Sequence, residues 1–124
     1  MNLRVLVGLG VLVTGAACGD GDEARTIGAT VRRDSPRVIV ATDTECRFDG
    51  DRQVTARGVV RNSGEQAYHV SISVRFLDAD GVRVDIATDS VSDLEPGESS
   101  RWDATVYNDA GADVERCEVA AEGS

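Results

Sequence analysis

The sequence predicts an all-β domain, a β-sandwich of six to seven strands, behind an N-terminal targeting segment. Three observations predict it. Beyond Pro36, apolar residues recur with period two over successive short segments. Gly, Asn, Asp and Pro turn signals separate those segments, and no helical 3.6-residue period competes with them.

The strands read off in order. Val38, Val40, Thr42, Thr44 and Cys46 share one parity, against Arg37, Asp43, Glu45 and Arg47 on the other. Val54, Ala56, Gly58 and Val60 alternate with Thr55, Arg57, Val59 and Arg61, and Asn62-Ser63-Gly64 turns the chain. Val70, Ile72, Val74 and Phe76 alternate with His69, Ser71, Ser73 and Arg75, and Asp78-Ala79-Asp80-Gly81 is a hairpin signal because Asp tolerates and Gly supplies positive φ. A fourth strand carries Val84 and Ile86 toward Val91 and Leu94. After the tight turn Glu95-Pro96-Gly97 come Trp102, Ala104 and Val106. Asn108-Asp109-Ala110-Gly111 then leads into a last strand with Cys117, Val119 and Ala121. The expected inward set is aliphatic apart from Phe76 and Trp102: Val40, Val54, Val60, Val70, Ile72, Val74, Val84, Ile86, Val106 and Val119 complete it, and none of its members titrates.

The 88 residues from Arg37 to Ser124 suffice for one sandwich core. Cys46 and Cys117 each fall in phase with the apolar residues of their strands, so both point inward and form a pair. Closing a loop of about 70 residues stabilises such a domain by roughly 4 kcal/mol on the chain-entropy account. Neither cysteine has a His or Cys neighbour at ligand spacing, which argues against a metal site there.

The third cysteine, Cys18, has a different context. Arg4 gives a positive start, Val5 to Val13 is a continuous apolar run, and Gly15-Ala16-Ala17 is a run of small residues before Cys18. This is a secretory signal peptide over residues 1–17, too short to span a bilayer. It resembles bacterial lipoprotein signals, with Gly15 where Leu is usual, and the resemblance implies lipidation of Cys18. The alternative is an ordinary cut after Ala17, which leaves an exposed free thiol. Residues 18–36 then read as the lipidated cysteine and a flexible tether, because Gly19 to Pro36 is rich in Gly, Asp and Arg without a hydrophobic period, and residues 37–124 as the domain. The expected location is the outer face of the cell membrane or the cell envelope.

The full chain has a formal charge of −9, and loss of Arg4 with the leader takes it to −10. All 13 basic residues are arginine. An acidic exported protein has no electrostatic basis for nucleic acid binding, which is dominated by phosphate neutralisation.

Gly58-x-Val60-x-Asn62-Ser63-Gly64, Val70-x-Ile72-x-Val74-x-Phe76-Leu77-Asp78-x-Asp80-Gly81, and Leu94-x-Pro96-Gly97-Glu98 with Trp102 together resemble the FxLYD domain. The likeness runs from about Arg37 to Val119, with Phe76-Leu77-Asp78 in place of the fuller Phe-x-Leu-Tyr-Asp string. It implies an immunoglobulin-like antiparallel β-sandwich of an exported bacterial lipoprotein. The absence of lysine and the cysteine pair are in keeping with actinobacterial members. The family has no established activity, so the resemblance implies no reaction.

Candidate chemistry is sparse. His69 is the only histidine and falls on an outward parity. Asp78, Asp80 and Asp85, with Asp49 and Asp51 from another turn, are weak candidates for a Ca²⁺ site, although turn geometry accounts for Asp at these positions. Arg57, Arg61 and Arg75 form an outward basic set, a possible interaction face for an anionic glycan or protein, with cross-strand pairing to acidic neighbours as the competing account. The expectation is a non-catalytic, membrane-anchored binding or structural module with no cofactor, held by its N-terminal lipid and facing an envelope or extracellular protein or glycan. The alternative is an envelope carrier of a small ligand or of calcium.

Overall fold

The computed structural model describes residues 23–32 and 38–124. Among these residues seven strands run in chain order: β1 (Arg25–Arg32), β2 (Ile39–Gly50), β3 (Gln53–Asn62), β4 (Tyr68–Leu77), β5 (Arg83–Leu94), β6 (Ser99–Tyr107) and β7 (Arg116–Gly123). A short 3₁₀ turn at Gly111–Asp113 precedes β7. They form one continuous sheet in the order β5-β4-β7-β1-β2-β3-β6, folded over so that its two halves face each other. The all-β sandwich expected from the sequence is therefore present.

β1 is the hinge between the halves. Arg25, Thr26 and Ile27 pair antiparallel with Phe48, Arg47 and Cys46 of β2. From Gly28 onward the strand pairs instead with β7, in parallel register from Gly28↔Arg116 to Arg32↔Ala120. This parallel pair departs from the all-antiparallel expectation. It also corrects the tether, because Arg25–Arg32 is an ordered strand in the middle of the sheet and not a flexible linker. The sequence hides β1 because a strand that changes halves buries little: only Ile27 is fully buried, while Ala29 is exposed and Val31 half-buried. Its stability comes from pairing on both sides. The signal-peptide reading (1–17), Cys18, and the tether residues 19–22 and 33–36 lie outside the described residues.

Cys46 and Cys117 form a disulfide with their Cα atoms 6.6 Å apart, within the reach of the bond. Cys46 is the register partner of Ile27 and Cys117 that of Ala29. The cross-link thus ties β2 to β7 where β1 crosses from one half to the other. With β1 in place, Cys46 belongs to the second strand and not the first.

The core between the halves holds Phe48, Val54, Val60, Val70, Ile72, Val74, Phe76, Leu94, Trp102 and Val119, all nearly or fully buried. Two residues expected inside lie outside: Val40 is 40% and Ile86 41% exposed. Both errors come from β-bulges, which add a residue and reverse the phase of a strand. On β2 the register shifts between Thr42 and Glu45, with Asp43 at φ 53°, so Ile39 faces inward before the bulge and Cys46 and Phe48 after it. On β5 the register shifts opposite Phe76/Leu77 and again opposite Tyr68/Val70, the second with Asp93 at φ 52°. Between those shifts Ala87 and Val91 take the inward parity. Val84 and Val106 are half-buried at the edge of the core.

The same parity brings Asp85 and Asp89 to the edge where β5 approaches β6. Asp89 Oδ2 accepts the Asp103 backbone N–H at 3.0 Å, and Asp85 Oδ2 accepts Asn108 Nδ2–H at 3.0 Å. Side-chain bonds therefore stitch the two edge strands without a backbone ladder, which covers part of each edge against pairing with another chain.

Candidate functional site

The outer face of the β5-β4-β7-β1 half carries a shallow groove of about 730 Å³. Its shape follows from side-chain length. Ser71 pairs with Ser90 on β5 and Glu122 on β7, while Ser73 pairs with Thr88 and Ala120. Ala120 in turn pairs with Arg32 on β1. Two rows of short side chains, ending in Glu122 and Arg32, thus cross the sheet, and the row below them is long throughout: Ile86, Arg75 and Glu118, with Arg75 Nη1 donating to Glu118 Oε1 at 3.2 Å. That row forms the lower rim. Strand geometry spaces the hydroxyls at roughly 7 Å along a strand and about 5 Å between strands.

The groove is equipped for hydrogen bonding. Ser71, Ser73, Thr88 and Ser90 each offer one donor and two acceptor lone pairs, with Arg32 and Glu122 as charged groups at its side. Asp89 also lines it, but both of its oxygens are committed, Oδ1 to the Ser90 N–H at 2.8 Å and Oδ2 to Asp103. No histidine or cysteine lines the groove, and no hydroxyl there is held by a base in the manner of an activated nucleophile.

The opposite outer face is mostly self-satisfied. A smaller depression of about 290 Å³ is lined by Glu45, Arg47, Asp49, Gln53, Thr55 and Arg57. Arg57 Nη2 lies 2.8 Å from Glu45 Oε1. Arg47 Nε lies 2.8 Å from Asp49 Oδ1, whose Oδ2 accepts the Thr55 hydroxyl at 2.7 Å.

The basic set named from the sequence is split by the fold. Arg57 and Arg61 stand on β3, and Arg75 on β4, so they face outward from opposite halves and do not form one face. Period two assigned each residue outward correctly, but parity carries no information about which half a strand joins. Arg57 and Arg75 are ion-paired to Glu45 and Glu118, the cross-strand account weighed against an interaction face.

The calcium candidates are spread over two strands and two turns and do not converge. Asp78 Oδ1 accepts the N–H groups of Asp80 and Val82, each at 2.9 Å, and Asp85 bonds Ile86 N–H and Asn108. Asp49 is taken by Arg47 and Thr55. Among the described residues no three acidic, His or Cys side chains converge on one point as metal ligands would. Asp51 and Asp80 are exposed, as is His69, whose backbone pairs with Ser124. Arg52 next to Asp51 donates to Asp109 at 3.0 Å, and this hydrogen bond, with the attraction of the same carboxylate, raises its pKa above the ordinary arginine value. The hydroxyl groove itself escaped the sequence reading. Its one signal was that Ser71-x-Ser73 and Thr88-x-Ser90 are outward pairs of small hydroxyl residues on neighbouring strands.

No protein-family model matches the chain, and no curated protein does, so the FxLYD resemblance rests on its motif residues. Two solved bacterial structures are similar. One is Campylobacter jejuni cj0090, at 17% identity over 76% of this chain and 97% of that one, with a TM-score of 0.47. The other is a DUF1425 family member from Shewanella sp. pv-4, at 18% identity over 69% of this chain and 76% of that one, with a TM-score of 0.49.

Proposed function

We propose that this chain is an exported, lipid-anchored, FxLYD-like binding module of the bacterial cell envelope, which works by recognition and not by catalysis. The observation that carries the reading is the outer groove, lined mainly by sheet hydroxyls with Arg32 and Glu122 at its side, and with its aspartate already committed by hydrogen bonds to Ser90 and Asp103. Such a surface supports recognition by exchanging hydrogen bonds and ionic contacts with a ligand. The Cys46–Cys117 disulfide supports the rest. It suits an oxidising compartment outside the cytoplasm, and it leaves Cys18 as the odd one of three cysteines, next to the lipoprotein-like leader.

The groove also favours a second reading, a carrier of a small polyhydroxylated or otherwise polar ligand. The two readings share a surface and differ in the size of what occupies it.

One preparation tests both. Protein extracted from membranes after envelope crosslinking should have the mass of a chain starting at an acylated Cys18. It should also carry a crosslinked partner that is lost when Ser73→Tyr fills the groove. An unmodified, soluble, full-length product would refute the anchor. An unchanged crosslinking pattern in Ser73→Tyr would refute the groove, and a polar small molecule released by denaturing the wild type but not the variant would establish the carrier.

A further inference from the structure

We infer a second recognition surface on the outer face away from the groove, where Arg61 and Arg101 form a clamp for a carboxylate-bearing segment of a protein partner. β3 and β6 pair with Arg61 opposite Ser99 and Val59 opposite Arg101. The two arginines are therefore diagonal neighbours on one face, about 7–8 Å apart at the backbone. Both are exposed.

Among the described residues neither side chain has an ion-pair partner. On the same face Glu45 is paired with Arg57 and Asp49 with Arg47, while Asp103, opposite Arg57 and two residues along β6 from Arg101, makes no ion pair with either arginine. This is unusual in a chain with 22 acidic and 13 basic residues. Acidic groups are abundant enough to neutralise both arginines, yet among the described residues the fold sets two like charges side by side with no ion pair to either. Neighbouring like charges disfavour the folded sheet slightly, and a bound anion removes that cost.

The flanks say which anion. Val40, opposite Arg61 on β2, is 40% exposed, and Val59 lies half-buried between the arginines. Guanidinium forks take carboxylates in bidentate fashion, and the two valines offer contact to aliphatic side chains. A peptide strand that alternates carboxylate and aliphatic residues satisfies both, whereas a phosphate polymer gives the valines nothing. The surface shares no residue with the groove, so it stands or falls separately from it.

The test is fluorescence anisotropy of the full chain with a short labelled peptide alternating Glu and Leu, beside the same peptide with Gln for Glu. The Glu peptide should bind, and more weakly as salt rises. Arg61→Glu and Arg101→Glu should each weaken binding by about tenfold or more, while Arg75→Gln on the other half should change nothing. Circular dichroism checks the fold, and the milder Arg61→Gln/Arg101→Gln pair serves if a charge reversal unfolds the protein. Equal binding of the Gln peptide, wild-type binding by the double Gln variant, or tighter binding of inorganic polyphosphate than of the peptide would each overturn the inference.

Discussion

Asn62 is the one fully buried polar side chain among the described residues, and its replacement gives the sharpest test of what holds the upper end of the sandwich. Its Nδ2 donates to the Gln66 carbonyl at 2.7 Å and the Leu94 carbonyl at 2.9 Å, and its Oδ1 accepts the Gly64 N–H at 2.8 Å. Its backbone is also engaged, donating to Glu98 O and accepting from Gly97 N. One residue therefore fastens the β3–β4 loop to the end of β5 and the β5–β6 turn. Asn62→Ala removes three side-chain bonds at about 1 kcal/mol each. The Gly64 and Gln66 groups are only partly buried and can turn to water, whereas the Leu94 carbonyl is buried and loses its partner outright. The expected loss is roughly 3 kcal/mol, a large share of the 5–15 kcal/mol available to a domain. Urea unfolding followed by Trp102 fluorescence should show the midpoint fall by about 1–3 M. A variant within about 1 kcal/mol of wild type would show that loop and turn hold without this hub.

Asn62→Asp extends the test to pH. The new oxygen faces two carbonyls, and burial penalises the charged form, so the folded-state pKa rises above the ordinary value near 4. As pH rises, the unfolded state releases its proton first. The variant is therefore least impaired below about pH 4 and loses stability relative to wild type as pH climbs from there through the raised folded pKa.

Two further outcomes follow from packing. Replacing both Cys46 and Cys117 with Ala should cost about 4 kcal/mol, from the chain-entropy cost of a link across 71 residues; a loss below about 1 kcal/mol would mean that pairing alone holds β1 at its crossing. A Cβ at Gly58 would lie 3.0–3.1 Å from the Trp102 ring, so Gly58→Val should destabilise by about 1–3 kcal/mol and shift Trp102 emission to longer wavelength. Unchanged emission would show that the ring has room to move.

The alternation of β3 and β4 was fully legible in the sequence, because both strands keep one phase from end to end and each buries one face. The turns were legible too, since Asp78-Ala79-Asp80-Gly81 and Glu95-Pro96-Gly97 carry local geometry in their own residue types. The cysteine pair followed from phase. What the sequence did not disclose depends on contacts between distant segments. Val40 and Ile86 were misassigned because a bulge is made by the partner strand's register, and a single strand's pattern does not record it. β1 was invisible because its order comes from pairing with β2 and β7, and its side chains bury too little to leave a hydrophobic period. Asn62 looked like a turn residue until Leu94, 32 residues away, came within reach of its amide. The two candidate surfaces are of the same kind. Parity sends Ser71, Thr88, Arg61 and Arg101 outward, but only the order of strands in the folded sheet decides which outward residues become neighbours.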